Sequence, residues 1–181
     1  DKYVPERNRI SESIFSLANE YMGARGIFEE GLEKNTLEGC YIGGMYFKEK
    51  TTFEWKRVGF PSYMNSMANT TNWLKITVDV DGEKLSMDSS SFENYSRVLD
   101  MKTAVLTRKL VFITRSGLRT QLRWERFLSL DDRRLGVQQI SIKALNHQKT
   151  VSLSFQLDAS KGNQTEVTKT GVHSDKVSAV S

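Results

Sequence analysis

The chain has 181 residues, 38% of them hydrophobic and 27% charged, and carries a net charge of +4. This length supports one domain with its own core, the single cysteine excludes an internal disulfide, and no stretch approaches the roughly 20 apolar residues of a membrane-spanning helix. The basic residues are scattered along the chain, so we expect them on the solvated surface rather than on a nucleic-acid-binding face.

The first third of the chain has no regular hydrophobic period. Apolar residues at Ile14, Phe15 and Ala18 are followed by Gly23 and Gly26, and glycines this close together indicate positive φ or a tight approach of two backbones. Either a short helix beginning near Ser11 or a strand with a bulge fits this pattern. Further along we expect a short strand with close backbone contacts, a second candidate strand and a long loop, at residues 39–46, 52–55 and 61–72.

The remaining two thirds predict β-strands, because apolar and polar residues alternate in runs separated by turn residues. Asp81-Gly82 is a strong hairpin signal, and Ser116-Gly117, Asp131-Asp132 and Asn146-His147 also predict turns. Each strand is expected to place one apolar face on a core, with these residues pointing inward: Leu74, Ile76, Val78 and Val80; Leu118, Leu122, Trp124 and Leu128; Ile140, Ile142 and Ala144; Val151, Leu153, Phe155 and Leu157. Without long helices between the strands, an all-β, antiparallel β-sandwich follows.

Residue groupings for catalysis are mostly absent from the sequence. His147 and His173 have no metal-ligand spacing, so we expect no metal site, and there is no nucleophile elbow, Walker loop or dinucleotide fingerprint. Cys40 is expected to be a small buried residue rather than a nucleophile. Glu29 and Glu30 are adjacent, and on an extended chain they would face opposite ways and could not flank one bond; we expect Glu29 to pair with Arg25 or to cap local N–H groups.

Aromatic residues gather near the irregular region and are candidates for stacking against a sugar. Most of them are expected to lie in the core, with two at most exposed. The members of this group are Tyr41, Tyr46, Trp55, Phe60, Tyr63 and Trp73.

Four ordered segments carry a family resemblance. Residues 12–31 (ESIFSLANEYMGARGIFEEG) resemble the opening signature of glycoside hydrolase family 65, the maltose, trehalose and kojibiose phosphorylases and their hydrolase relatives, although Ala18 and Glu20 stand where that family usually has glycines. Residues 72–83 (NWLKITVDVDGE), 95–106 (YSRVLDMKTAVL) and 125–130 (ERFLSL) are similar to later motifs of the same family, and the matches extend to about Asp158.

The resemblance implies that residues 1–181 are a single N-terminal domain, a β-sandwich of the galactose-mutarotase-like super-sandwich type with little helix, and a fragment of a longer bacterial, cytoplasmic enzyme; secretion stays open. In such enzymes a helical linker and an (α/α)6 barrel follow, and the barrel carries the general-acid glutamate and the phosphate-binding residues. The chain itself is therefore expected to hold no catalytic residue and no cofactor. Inorganic phosphate would be a co-substrate of the parent if it is a phosphorylase.

By the same resemblance the expected partners are the barrel of the same parent chain, its disaccharide substrate and a second copy in a homodimer. Candidates for the substrate pocket or the domain interface are Asn19, Arg25, Glu29, Tyr63 and Asn69. A stand-alone, lectin-like carbohydrate-binding sandwich is the alternative function. An electrostatic nucleic-acid binder is a third hypothesis, which only the isoelectric point favours, and no membrane partner is expected.

Overall fold

A computed structural model describes residues 3–51 and 58–159 of the chain. A 3-10 turn at Pro5–Arg7 leads into the helix α1, Asn8–Ile14, and eleven strands follow in the described residues. Their bounds are β1 Leu17–Ala18, β2 Met22–Ala24, β3 Cys40–Lys50, β4 Tyr63–Asn69, β5 Asn72–Val80, β6 Glu83–Lys84, β7 Ser91–Asp100, β8 Val105–Ile113, β9 Arg119–Leu128, β10 Gly136–Ala144 and β11 Val151–Asp158.

The strands form three antiparallel sheets, which confirms the predicted all-β class. The first sheet has the order β1-β2-β3-β4, the second β10-β9-β8-β7 and the third β11-β5-β6. Consecutive strands of the second sheet are joined by short turns, so their pairing follows directly from chain order. No helix in the part of the chain that the structure describes is long and apolar enough to cross a membrane.

The core lies between the second and third sheets, as a sandwich requires. On β5 every second residue from Leu74 to Val80 is at most 1% exposed. Ile76, Val78 and Val80 pack with the inward residues of β8 and β9, among them Phe112 and Trp124. The alternation of apolar and polar residues along β5 therefore correctly predicted which of its side chains point into the core. The Asp81-Gly82 hairpin is also confirmed, because both residues have positive φ, 54° and 88°, as a two-residue hairpin turn requires.

The ambiguous start of the chain contains a helix and then a strand, and the apolar residues were a poor guide to its buried face. Ile14 ends α1 with 66% of its surface exposed, whereas Asn8 and Glu12 are 1% and 0% exposed. The helix therefore presents a polar face to the interior.

Of two predictions for the middle of the chain, one is confirmed and the other is wrong. The predicted close contact of residues 39–46 is confirmed, because Gly43 N–H donates to Tyr21 O at 2.6 Å within a longer strand, β3. The prediction of a loop at residues 61–72 is wrong, since Tyr63–Asn69 forms β4 and pairs with β3. Its asparagine, serine and methionine residues lack an alternating pattern because both faces of this ribbon are largely exposed. The candidate strand at residues 52–55 lies outside the described residues.

The last strand departs from its predicted orientation. Val151 and Leu153 pack against the core, but Phe155 and Leu157, on the same face of β11, are 67% and 78% exposed. Phe155 lies opposite Ile76, which is fully buried. The described part of the sandwich thus ends before the outer half of this strand, and alternation alone could not indicate where the opposing sheet stops.

Candidate functional site

The signature segment folds back on itself through a close backbone contact at Gly26. Gly26 N–H donates to Glu12 O at 2.7 Å, and a Cβ at this position would lie 2.7 Å from Phe15 Cβ and 2.9 Å from Phe15 O. No side chain fits there without displacing α1. The tight approach predicted from the glycine spacing is therefore present at Gly26, and the requirement is space rather than positive φ.

Glu12 anchors the polar face of α1. Its carboxylate accepts hydrogen bonds from Asn8 Nδ2 at 2.8 Å, Thr36 Oγ1 at 2.6 Å and Leu37 N at 2.8 Å. The cost of burying this charge is offset by three short hydrogen bonds. Glu12 thereby ties the helix to the loop that precedes β3.

Three arginines on adjacent strands of the second sheet point inward and hold the loop at residues 26–30. Arg97 on β7 lies directly opposite Arg108 on β8, and Arg126 lies on β9 beside them. Arg97 donates to Gly26 O and Arg126 to Ile27 O, each at 2.8 Å. All three arginines are at most 4% exposed. We call this group, together with Glu29 and Glu30, the arginine clamp.

Arg108 is the centre of the arginine clamp. Its two terminal nitrogens bind the Glu30 carboxylate at 2.6 and 2.5 Å, and one of them also lies 2.6 Å from Glu29 Oε2. The guanidinium stacks on Trp124 at 3.9 Å and lies 4.8 Å from the Phe28 ring centroid. A bidentate ion pair with an aromatic face behind it suits arginine and not lysine.

The pKa values of the three arginines in the arginine clamp are shifted in different directions. Burial alone would lower the pKa of Arg108, but the carboxylates of Glu29 and Glu30 outweigh it and hold that pKa above its ordinary value. Burial lowers the pKa of Arg126, and Glu29, 3.6 Å away, offsets this only in part. Burial likewise lowers the pKa of Arg97. Arg97 and Arg126 therefore depend on backbone carbonyls as well as on the Glu29 carboxylate.

The structure corrects three expectations about charged residues. Glu29 and Glu30 do not face opposite ways, because the chain turns there and is not extended, so both reach the same arginine. The partners of Glu29 are Arg108 and Arg126, not Arg25. Arg108, expected on the solvated surface, is buried. In each case the deciding contact crosses from the loop to a distant sheet.

Asn19 and Arg25, two of the predicted candidates, have internal structural contacts. The Asn19 side chain accepts from Tyr21 N and Met22 N at 2.9 and 2.8 Å and donates to Ser129 O at 2.7 Å, which joins the β1–β2 turn to the β9–β10 turn. Arg25 donates to Ser13 Oγ at 2.9 Å and to Arg9 O, both on α1. Neither side chain lies in the arginine clamp.

The candidates on β4 lie elsewhere again. Asn69 accepts from Cys40 N at 2.9 Å and donates to Glu38 O at 3.0 Å, so it fixes the start of β3. Tyr63 is 51% exposed on the distal part of the same strand. The five candidates thus hold separate parts of the fold, and their place next to a substrate pocket stays a prediction.

A polar cavity of about 250 Å³ adjoins the arginine clamp. Acidic residues dominate its wall, which includes Glu29, Glu30, Glu33, Glu38 and Asp88. Within residues 3–51 and 58–159, however, no three His, Cys, Asp or Glu side chains are grouped as metal ligands. Cys40 lies in a neighbouring core cluster at 2% exposure, as predicted, and burial raises the pKa of its thiol to about 11, which makes it a poor nucleophile.

Sequence reasoning missed the burial of Arg97, Arg108 and Arg126. A signal was present, because Arg108 shares the parity of Leu106 and Leu110 on its strand, and Arg126 shares that of Trp124 and Leu128. An arginine in the inward register of an otherwise apolar strand indicates a buried cation that needs a partner. The partner is not readable from the strand itself.

The fold and the arginine clamp define an all-β sandwich domain in which a glutamate-bearing N-terminal segment is fixed onto a sheet by buried arginines. The chain belongs to glycosyl hydrolase family 65, since the family model "Glycosyl hydrolase family 65, N-terminal domain" matches residues 1–181. This confirms the resemblance drawn from the signature and the later motifs.

Curated relatives agree with this assignment. The maltose phosphorylase of Bacillus subtilis (strain 168) is 35% identical over 159 residues, which cover 88% of this chain and 21% of that protein. The kojibiose phosphorylase of Thermoanaerobacter brockii is 29% identical over 177 residues, covering 98% and 21%. A solved structure titled "Putative kojibiose phosphorylase from human microbiome" has a TM-score of 0.81 at 27% identity and covers 89% of this chain and 21% of that one. The chain thus spans about a fifth of the length of these relatives.

Proposed function

We propose that this chain is a non-catalytic N-terminal domain of an inverting phosphorylase that acts on α-linked glucose disaccharides, and that it supports the catalytic (α/α)6 barrel of the same parent. The observation that carries the proposal is the position of Glu29 and Glu30, the two adjacent carboxylates of residues 12–31. Glu29 and Glu30 are buried against Arg108, so their arrangement is that of a structural contact rather than of two groups flanking a glycosidic bond.

A phosphorylase is favoured over a hydrolase for the parent, since the maltose phosphorylase is 35% identical to this chain and relatives titled uncharacterized glycosyl hydrolase are 29% identical or less. In that parent, inorganic phosphate would attack the anomeric carbon while a carboxylic acid of the barrel protonates the leaving oxygen. The parent enzyme is proposed to be cytoplasmic. The role of this domain would be to present a rigid surface to the rest of the chain, since Glu12, Asn19 and the arginine clamp fix its N-terminal segment by hydrogen bonds and ion pairs.

An assay of this chain alone tests the first half of the proposal. With maltose, kojibiose or trehalose and inorganic phosphate, the isolated chain should release no glucose 1-phosphate, and titration calorimetry with the same sugars should detect no binding. Release of glucose 1-phosphate by the isolated chain would mean that it holds its own active site. Saturable sugar binding without turnover would instead favour the lectin-like alternative.

The supporting role is tested in a parent protein that contains the barrel. Arg108→Met there should lower the melting temperature and the amount of active enzyme, while kcat per correctly folded molecule stays unchanged. Lys109→Met, on the same strand but exposed, is the matched control and should change neither. A loss of kcat in folded Arg108→Met protein would place the arginine clamp in the chemistry and contradict the proposal.

A further inference from the structure

A second cavity, of about 400 Å³, lies at one edge of the sandwich. There β6, the outer strand of the third sheet, comes close to β7, the outer strand of the second. The wall of this edge cavity contains residues 82–84, residues 89–91, Ile113 and Arg115. The fold thus brings three segments of the chain together around a space whose volume falls in the range of small-molecule pockets, roughly 300–1,000 Å³.

Two cations in the wall of the edge cavity, Lys84 and Arg115, have no ion-pair partner among the described residues. The neighbouring carboxylates bind backbone N–H groups instead. Asp79, directly opposite Lys84 in the sheet, accepts from Gly82 N at 2.7 Å, and Glu83 accepts from Arg115 N at 2.9 Å. Both cationic side chains are therefore free to bind an anion from solution.

Serine side chains complete the wall on the side of β7. Ser90 Oγ accepts from Ser86 N at 2.9 Å and so holds the loop before the strand. The hydroxyl groups of the exposed residues Ser89 and Ser91, in contrast, make no hydrogen bond within the residues that the structure describes. Ile113 is half-buried and adds an apolar side chain. The edge cavity therefore combines two positive charges with unused hydroxyl donors and an apolar patch.

We propose that the edge cavity binds a phosphate monoester of a small polar molecule. A phosphate monoester carries about −1.5 to −2 charges near neutral pH and has three strong acceptor oxygens. The Arg115 guanidinium, the Lys84 ammonium and the two serine hydroxyl groups match it in charge and in number of donors, whereas a carboxylate would leave donors unused. A phosphate group alone would leave part of the cavity empty, and the organic part of the ligand lies there, against Ile113.

Titration calorimetry of this chain at roughly 0.15 M salt, where attraction between distant exposed charges is screened, tests the proposal with glucose 6-phosphate as the probe. The probe should bind at one site and more tightly than inorganic phosphate, and glucose should not bind. Arg115→Gln and Lys84→Gln should each weaken binding roughly tenfold or more. Lys102 is exposed in the β7–β8 turn, so Lys102→Gln is the matched control and should bind like the wild type. Absence of saturable binding, equally tight binding of inorganic phosphate, or an equal loss in Lys102→Gln overturns the proposal.

Amide NMR spectra of the same chain locate the bound probe. Glucose 6-phosphate should shift the resonances of residues 82–84, 89–91 and Arg115, and these shifts should be lost in Arg115→Gln. The circular dichroism of that variant should match the wild type, because the Arg115 residue is exposed. Shifts confined to another basic surface, such as Lys109 and Arg123, which lie opposite one another on β8 and β9, overturn the site. Neither experiment bears on the proposed function, which is assayed by turnover.

Discussion

Arg108 in β8 and Glu30 in the loop after β2 meet through two hydrogen bonds of 2.6 and 2.5 Å, although 78 residues separate them along the chain. Glu29 shares the same guanidinium. Because all three charges are buried, we expect Arg108→Met to lower the free energy of unfolding by about 3–5 kcal/mol, the usual cost of removing one partner from a buried ion pair. Urea unfolding followed by circular dichroism measures this change.

The control for this prediction is a triple variant that also removes the charges of Glu29 and Glu30, the carboxylates that lose their partner in Arg108→Met. Met in place of Arg108 combined with Gln at both Glu29 and Glu30 should recover a large part of the loss, because no uncompensated buried charge is left. If the triple variant is as unstable as Arg108→Met alone, the loss comes from packing against Trp124 and not from charge.

The close contact at Gly26 makes a second prediction. Gly26→Ala should destabilise the domain by about 1–3 kcal/mol, because the new methyl group overlaps the backbone and Cβ of Phe15. Gly23→Ala is the matched control in the same segment, where the nearest heavy atoms would lie 3.7 Å away. Thermal unfolding of the two variants should separate them clearly, and equal melting temperatures would contradict the contact.

Asn19 joins two turns that are far apart in sequence, so replacing its side chain should destabilise both turns. We expect Asn19→Ala to cost about 1–3 kcal/mol, since several partly buried backbone donors and acceptors lose their partner at once, and to speed hydrogen exchange in residues 129–135. The nearby Arg133–Glu20 ion pair is 3.6 Å long and largely exposed. Arg133→Ala should therefore change stability by less than about 1 kcal/mol, and a larger effect than that of Asn19→Ala would reverse this ranking.

Cys40 should make the stability of the domain depend on alkaline pH. Burial raises the pKa of its thiol from 9.0 to about 11, so the folded protein keeps the proton where the unfolded chain has released it. This contribution, about 2–3 kcal/mol at most, is fully present below pH 9 and is lost as pH rises from 9 to about 11. Unfolding of the wild type and Cys40→Ala across this range measures it, and parallel pH profiles would count against a buried thiol.

Alternation along β5 and β9 and the Asp81-Gly82 turn were readable from the sequence, because they depend on residues close together in the chain. The family signature was readable as well, and the closely spaced glycines correctly indicated a tight backbone contact. β4 was not readable, since a ribbon exposed on both faces has no hydrophobic period. The exposed end of β11 was missed because its pattern cannot show where the opposing sheet ends.

The all-β class, the inward faces of β5 and β9 and the family were all evident from the amino-acid sequence alone. Which charges are buried depends on tertiary contacts, since Arg97, Arg108 and Arg126 bind Gly26, Ile27, Glu29 and Glu30 from another part of the chain. The physical reason is that local periodicity reports which way a side chain points. Whether a buried charge is stable depends on a partner that chain topology, and not the neighbouring sequence, brings within hydrogen-bonding distance.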